Sequence, residues 1–235
     1  VKELSRERVG AVIAAGGSSR RMDGVDKIFA AVAGKPLLWH VLRVFQACDG
    51  VDQVVVVLSD ASVERGLRLV EEGGFSKVTA VCAGGPRRQD SVAEGLKRLD
   101  RCDWVLIHDG SRPCLTEELV EQGLKEARQT GAAIAAVPLK ETVKVVDAEG
   151  RIESTPRRES LWAAQTPQVF RLDLLEEAYR KTTQEVTDDA SLVEASGHKV
   201  RVYMGLYDNM KVTTPEDLAL AETILRMRDE GRRRL

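Results

Sequence analysis

No apolar run in the chain approaches a membrane span. The longest, Val54 to Leu58 and Ala132 to Pro138, fall far short of the roughly 20 residues a bilayer needs. Cysteine is sparse: Cys48, Cys82, Cys102 and Cys114 are scattered, with no C-x-x-C spacing and no local histidine partner. A disulfide scaffold or zinc site is therefore not expected, and free, mostly buried thiols in a reducing cytoplasm are. Basic charge is not in excess. A net charge of −2 argues against a nucleic-acid binder that relies on a global positive field. The N-terminal stretch Val1 to Arg8 is charged, and no secretory signal is expected from it. Histidine is limited to His40, His108 and His198, none in a Ser/His or Cys/His arrangement. Internal repeats, low-complexity tracts and interdomain linkers are also missing.

What is present fits an ordinary globular chain. The 235 residues, 43% hydrophobic and 31% charged, suffice for a single domain over 1–235 with a real core. Short apolar runs at Val9–Ala15, Gln53–Leu58, Lys77–Cys82, Trp104–His108 and Ala132–Pro138 read as strands. Between them, apolar residues recur at helical spacing, as in Leu37, Leu38, Val41, Leu42 and Phe45. Continuous apolar strands separated by helices predict a mostly parallel, doubly wound α/β sheet whose ligands sit at the strands' carboxyl ends. The alternation breaks between Leu139 and Gln165. There Thr142–Val146 and Arg151–Ser154, around the turn cluster 147–150, predict a hairpin arm at about 139–160. It is too poor in apolar residues to form a core of its own, and a second subunit is the economical support. Helices near Leu172–Arg180 and Asp189–Ser196, a strand at Lys199–Met204 and a final helix from Pro215, with Thr214 as its N-cap, complete the reading.

Three segments can carry chemistry. Ala14-Ala15-Gly16-Gly17-Ser18-Ser19-Arg20-Arg21-Met22 runs off the first strand and is followed by Lys27. Small residues let a ligand approach the backbone, whose N–H groups can form an anion nest, and the cations add charge. A tight strand-to-helix turn with a solvated basic flank is the plainer alternative, but glycines, paired arginines and a lysine together favour a ligand. The loop is neither a Walker A motif nor a G-x-G-x-x-G fingerprint, which weakens ATPase and oxidoreductase readings. His108-Asp109-Gly110-Ser111-Arg112-Pro113 closes the fourth strand. Asp109 there can hold a metal–triphosphate, accept from sugar hydroxyls, or simply make a turn, and Arg112 can pair with a carboxylate. Gly84-Gly85-Pro86-Arg87-Arg88-Gln89-Asp90-Ser91 opens a helix and suits phosphate or base contacts as well as it suits a start capped by Asp90 or Gln89.

In this fixed order, A-A-G…R-R-M…K, G-G…R-x-D-S-V, H-D-x-x-R-P, L-W-x-x-Q-T-P-Q and D-N-x-K-V-T-x-P-E-D-L resemble the 2-C-methyl-D-erythritol 4-phosphate cytidylyltransferases, from about Val9 to Leu225. The resemblance implies a Rossmann-like nucleotidyltransferase domain with a protruding β-arm, working as a cytoplasmic homodimer. It also implies transfer of CMP from CTP to a small polyol phosphate, with Mg2+, in non-mevalonate isoprenoid precursor synthesis. By matching positions, Arg21 and Lys27 would stabilise the transition state at the α-phosphate. Arg158 and Lys211 would position the acceptor's phosphate, with help from Thr166. Asp109 and Arg112 would face the polyol, and Ala14, Ala15, Gly16, Gly85 and Ser91 would line the nucleotide pocket. Mg2+ would be held mainly through the CTP phosphates, with Asp109 a further candidate ligand. Two departures stand out. The loop at Gly17-Ser18-Ser19 is one residue longer than in some members, so Arg20 and Arg21 can exchange roles. Pro86 stands where some members place an acidic residue near the base.

Ribitol 5-phosphate cytidylyltransferases share most of these motifs, and a non-catalytic nucleotide-binding regulator on the same fold is the alternative from another class. Arg21, Lys27, Asp109, Arg158 and Lys211 together favour an enzyme, because a sensor needs affinity but not transition-state cations.

Overall fold

The computed structural model of the chain describes residues 6–17, 26–181 and 185–233. The chain opens with β1 (Val9–Ala15), a short pair β2 (Ala31–Val32) and β3 (Lys35–Pro36), α1 (Leu37–Ala47) and β4 (Gln53–Leu58). It continues through α2 (Val63–Gly73), β5 (Val78–Ala83), α3 (Arg88–Leu96), β6 (Trp104–Asp109), α4 (Glu117–Thr130) and β7 (Ala132–Pro138). A ribbon of β8 (Val145–Val146) and β9 (Ile152–Ser154) precedes β10 (Trp162–Arg171), α5 (Leu172–Lys181), α6 (Asp189–Ala195), β11 (Arg201–Met204) and α7 (Pro215–Arg233). The central sheet has seven strands in the order β11-β7-β10-β6-β1-β4-β5. Pairings of β1 with β4 and β6, of β4 with β5 and of β11 with β7 are parallel. The α/β, mostly parallel architecture expected from the sequence is the one found.

Strands buried on both faces need apolar residues throughout, and β4 and β6 are buried at every position. Their alternation feeds two cores. Ala11, Ile13, Val54, Val56 and Leu106 pack on one face against Leu38, Leu42, Phe45 and Leu124 of α1 and α4. Val12, Val55, Val57, Val105 and Ile107 pack on the other, with Val92, Leu175 and Leu192 of α3, α5 and α6. A smaller cluster of Val32, Leu37, Cys114, Val212, Ala221 and Leu225 fastens α7 to the body. Among the described residues, no helix is long and apolar enough to cross a membrane.

Several local expectations are corrected. The sequence reading has no strand at 162–171, yet β10 lies in the middle of the sheet, antiparallel to both β6 and β7. Gln165-Thr166-Pro167-Gln168 hides it, since proline and paired polar residues argue against a central strand. The structure accommodates them with a register shift between Ala164 and Gln168. It also satisfies the buried amides: Gln168 Nε2 donates to Asp188 at 2.8 Å and its Oε1 accepts from Ala190 N–H at 3.1 Å. The arm's first strand shrinks from Thr142–Val146 to Val145–Val146, and Val145, Val146 and Ile152 of the ribbon are exposed. The base of the 139–161 excursion is closed by Leu139 N–H donating to the Leu161 carbonyl at 3.0 Å. At α7, Pro215 is the first helical residue as expected, but Asp217 reaches back to accept from the N–H groups of Thr213 and Thr214 at 2.7 and 2.9 Å.

Candidate active site

Strand order reverses at β1, with β4 and β5 on one side and β6 on the other, and ligands of open α/β sheets bind at such points. The carboxyl ends of these strands open on a cavity of about 530 Å3. Its walls are built close to the backbone. Ala14, Ala15 and Gly16 come from the end of β1, Gly84 and Gly85 follow β5, and Ser91 stands on α3. A Cβ on Gly84 would strike the side chain of Ser91, and one on Gly85 would strike Asp90. Glycine is thus required for the loop to lie against the start of α3. Of the two sequence candidates for capping that helix, Asp90 does so: it accepts from Arg87 N–H at 3.2 Å and pairs with the Arg87 guanidinium at 2.6 Å. Gln89 instead accepts from Val186 N–H at 3.2 Å.

Lys27 also lines this cavity. It opens a single 3-10 turn, Lys27–Phe29, anchored by the buried Ile28 and Phe29, and Asp26 accepts from Ile28 N–H at 3.3 Å. Its Nζ donates to the carbonyl of Val212 at 3.1 Å, joining segments 185 residues apart. Arg21, and Arg20 with which it can exchange roles, lie outside the described residues.

Asp109 closes β6 at the junction between this cavity and a smaller one of about 210 Å3, lined by Arg112, Thr166, Gln165 and Asp188. Arg88, Asp109 and Lys211 border both. The Asp109 carboxylate is buried, with Oδ1 at 3.1 Å from Arg88 Nε and Oδ2 at 2.9 Å from Lys211 Nζ and 3.6 Å from Arg112 Nε. Burial alone would raise its pKa, but Arg88, Lys211 and Arg112 outweigh it and hold the group well below the usual carboxylate range. Arg88 feels the converse: burial opposes its charge, and Asp189 and Asp109 more than restore it, so its pKa is raised. Two guanidinium nitrogens of this wall, Arg88 Nη2 and Arg112 Nε, are buried and find no hydrogen-bond acceptor among the described residues.

Behind the junction, Thr166 Oγ1 accepts from Asp109 N–H at 3.0 Å and lies 2.9 Å from His108 Nδ1. The other ring nitrogen faces the Arg112 carbonyl at 3.3 Å. A carbonyl can only accept, which assigns the proton to Nε2 and leaves Nδ1 to accept from the threonine hydroxyl. Burial keeps this ring neutral, its pKa lowered to about 4. Arg112 Nη1 donates to the Asn209 carbonyl at 2.8 Å, and Asn209 Nδ2 to the Thr166 carbonyl at 2.8 Å, which tie the segment bearing Lys211 to β10.

The structure therefore brings Ala14, Ala15, Gly16, Lys27, Gly85, Ser91, Asp109 and Lys211 to the larger cavity and Arg112 and Thr166 to the smaller. Arg158 lines neither. It is exposed on the turn Arg158–Ser160 and donates to the Lys140 carbonyl at 3.0 Å. No group of three or more His, Cys, Asp or Glu able to hold a metal is found among the described residues. Both oxygens of Asp109 face the protein's own cations Arg88, Lys211 and Arg112. Arg88 is the functional candidate that motif reading passes over, although a second arginine after Gly-Gly-Pro at a helix start is a visible signal. Its partner Asp189 offers no local signal.

The family model for 2-C-methyl-D-erythritol 4-phosphate cytidylyltransferase matches residues 9–227. A protein of that name from Dehalococcoides mccartyi is 51% identical over 220 residues, covering 94% of this chain and 97% of its own. A solved 4-diphosphocytidyl-2C-methyl-D-erythritol synthase from Anaerococcus prevotii superposes with a TM-score of 0.84 at 31% identity, over 94% of this chain and 96% of its own. A 2-C-methyl-D-erythritol 4-phosphate cytidylyltransferase from Thermus thermophilus does so with a TM-score of 0.76 at 32% identity, over 93% and 99%.

Proposed function

The chain belongs to the 2-C-methyl-D-erythritol 4-phosphate cytidylyltransferase family, and from that premise we propose that it transfers CMP from CTP to 2-C-methyl-D-erythritol 4-phosphate. The products are 4-diphosphocytidyl-2-C-methyl-D-erythritol and pyrophosphate, in the non-mevalonate route to isoprenoid precursors. The observation that carries the reading is the meeting of two cavities at Asp109, the larger lined by small residues of two strand ends together with Lys27, Arg87 and Arg88, the smaller by Arg112, Gln165 and Thr166. The larger suits CTP. The smaller suits a short polyol phosphate.

An acceptor phosphate oxygen attacks the α-phosphorus in line and pyrophosphate leaves, so no covalent intermediate on the protein is needed. A phosphate monoester is mostly ionised near neutral pH, so a strong general base is not needed either, in keeping with a neutral, buried His108. Like charges must be brought together, and the protein's task is positioning and neutralisation. We assign Lys27, with Arg21, to the charge developing on the α-phosphate, and Lys211 to the acceptor's phosphate. Family members are nucleotidyltransferases that generally use a divalent metal. We assign Mg2+ to the CTP phosphates rather than to Asp109, where it would screen phosphate charge. Pyrophosphate release measured with CTP against a panel of polyol phosphates tests the proposal. Turnover is expected with 2-C-methyl-D-erythritol 4-phosphate and lost in excess chelator. Turnover confined to ribitol 5-phosphate, or CTP binding without any turnover, would overturn it.

Arg158 we assign to the neighbouring subunit's acceptor site in a two-fold dimer. The exposed, two-stranded ribbon beside it is marginal by itself and needs a surface to lie on. Mixing a Lys27→Ala subunit with an Arg158→Ala subunit, each inactive alone, should restore part of the activity, because a shared site leaves one site per heterodimer intact. No recovery from verified heterodimers would place Arg158 elsewhere.

A further inference from the structure

A second buried carboxylate stands behind Asp109, and the transfer reaction itself does not call for it. Asp189, the first residue of α6, is fully buried. It is not the helix's cap: Asp188 is, accepting from Ser191 N–H at 3.1 Å and Ser191 Oγ–H at 2.6 Å. The oxygens of Asp189 are taken instead by Arg88 Nη1 at 2.7 Å and by the Tyr179 hydroxyl at 2.6 Å. Through its Nε, the same guanidinium donates to Asp109 Oδ1 at 3.1 Å. Residues of α3, α5, α6 and β6 thus converge on one arginine, which borders both cavities.

Stability does not explain this arrangement. A buried ion pair is often no better than apolar residues of the same volume, and α3, α5 and α6 already contribute Val92, Leu175 and Leu192 to one core. What the arrangement does is orient a side chain. Only a guanidinium offers separate N–H groups, in a fixed fork, to two carboxylates at once. Held from behind, Arg88 takes a constant share of the Asp109 charge. Lys211, whose side chain is 41% exposed, is then not the carboxylate's sole close partner and can turn to an anion in the cavity. With Arg88 loose, Asp109 would draw on Lys211 and Arg112 instead, and an incoming phosphate would compete with a carboxylate for Lys211.

We infer that Arg88 is a positioning residue for the acceptor side, aimed by the buried Asp189–Tyr179 pair, and that this triad sets how firmly Lys211 is tied to Asp109. The inference rests on the reading of the smaller cavity as the acceptor's. Steady-state kinetics on Asp189→Asn, Tyr179→Phe, Arg88→Lys and the Arg88→Lys/Asp189→Asn double variant test it. Asp189→Asn should raise the acceptor KM about tenfold and Tyr179→Phe about threefold, with the CTP KM within about twofold of the parent. The double variant should be no worse than Arg88→Lys alone, because the residues act as one unit. Equal shifts in both KM values, or additive losses, would reduce Asp189 to a structural role and overturn the inference. A parent enzyme that fails to turn over would count against the proposed reaction, and a second measurement then decides this inference by itself. In arginine-labelled protein the Arg88 Nε–H should exchange slowly with solvent, and markedly faster in Asp189→Asn and Tyr179→Phe. Tyr179→Phe keeps the ring and its packing, so it serves if the buried amide does not fold. Unchanged exchange in the variants would overturn the inference.

Discussion

The two walls of the site are made by different physics. The floor of the larger cavity is formed by strand ends that pass straight into Ala14-Ala15-Gly16 and Gly84-Gly85, where the absence of side chains is what matters. The junction with the smaller cavity is held by contacts between residues mostly far apart in the chain. Arg88 and Asp189 are 101 residues apart, Asp109 and Thr166 57, and Arg112 and Asn209 97. The glycine loops of the larger cavity are sensitive to added atoms, and the charged junction to loss of charge.

The sharpest way to break that contrast is to remove the junction's central charge. Asp109→Asn nearly keeps the shape but leaves Arg88, Lys211 and Arg112 without their shared carboxylate. Breaking a buried pair typically costs about 3–5 kcal/mol, which denaturant unfolding would read. Its acceptor KM should rise more than its CTP KM, and an effect confined to CTP would move Asp109 to the nucleotide side. Next in size is Lys27→Ala. Loss of one electrostatic group aimed at a transition state lowers kcat by about 10²–10³-fold, and CTP affinity should change little. Near-normal turnover would remove Lys27 from the reacting centre.

A pH titration separates the junction from the rest of the fold. The native His108 is held neutral, with a pKa lowered to about 4, while in the unfolded chain it protonates near 6.5. The unfolded state therefore binds the extra proton in that window, and stability falls as pH drops from about 6.5 to about 4, by about 3 kcal/mol in total. Asp109 acts in the same direction at lower pH. Its depressed pKa preserves its contribution above the ordinary carboxylate range and releases it only at still lower pH. A His108→Gln variant should lose His108's share of the upper part of this dependence, leaving that of His40, whose pKa burial also lowers, and should keep the lower part. A parent protein whose unfolding midpoint is flat between pH 6.5 and 4 would refute the neutral, buried imidazole.

The smallest effect tests the cradle. Gly85→Ala places a Cβ against Asp90, and overpacking of this kind costs about 1–3 kcal/mol. The strain falls on the loop beside the larger cavity, so the CTP KM should rise while the acceptor KM is spared. Equal loss for both ligands would show that cradle and junction are not separable.

Most of the fold is legible in the sequence. Strands β1, β4 and β7 run over the residues their apolar runs mark, β6 extends one residue beyond the sequence reading, and β5 is shifted from it by one residue. A strand buried on both faces must spell its burial out locally, and a helix must repeat its apolar face every three or four residues. The cradle was legible for the same reason, since small residues directly after a strand are a local pattern. The strand β10 was not, because its polar Gln165-Thr166-Pro167-Gln168 stretch makes sense only once Leu206, Asp188 and Ala190 are there to satisfy it. Nor was the partnership of Arg88 with Asp189 and Tyr179. No spacing rule joins residues on three different helices, and an ion pair across 101 residues exists only where packing has already brought its ends together. By itself the sequence determined most of the strands and helices and the small-residue turns that line the larger cavity, because those follow from neighbouring residues. Only the tertiary structure decided which charges face one another, because that depends on how the sheet is ordered and on what its helices bury.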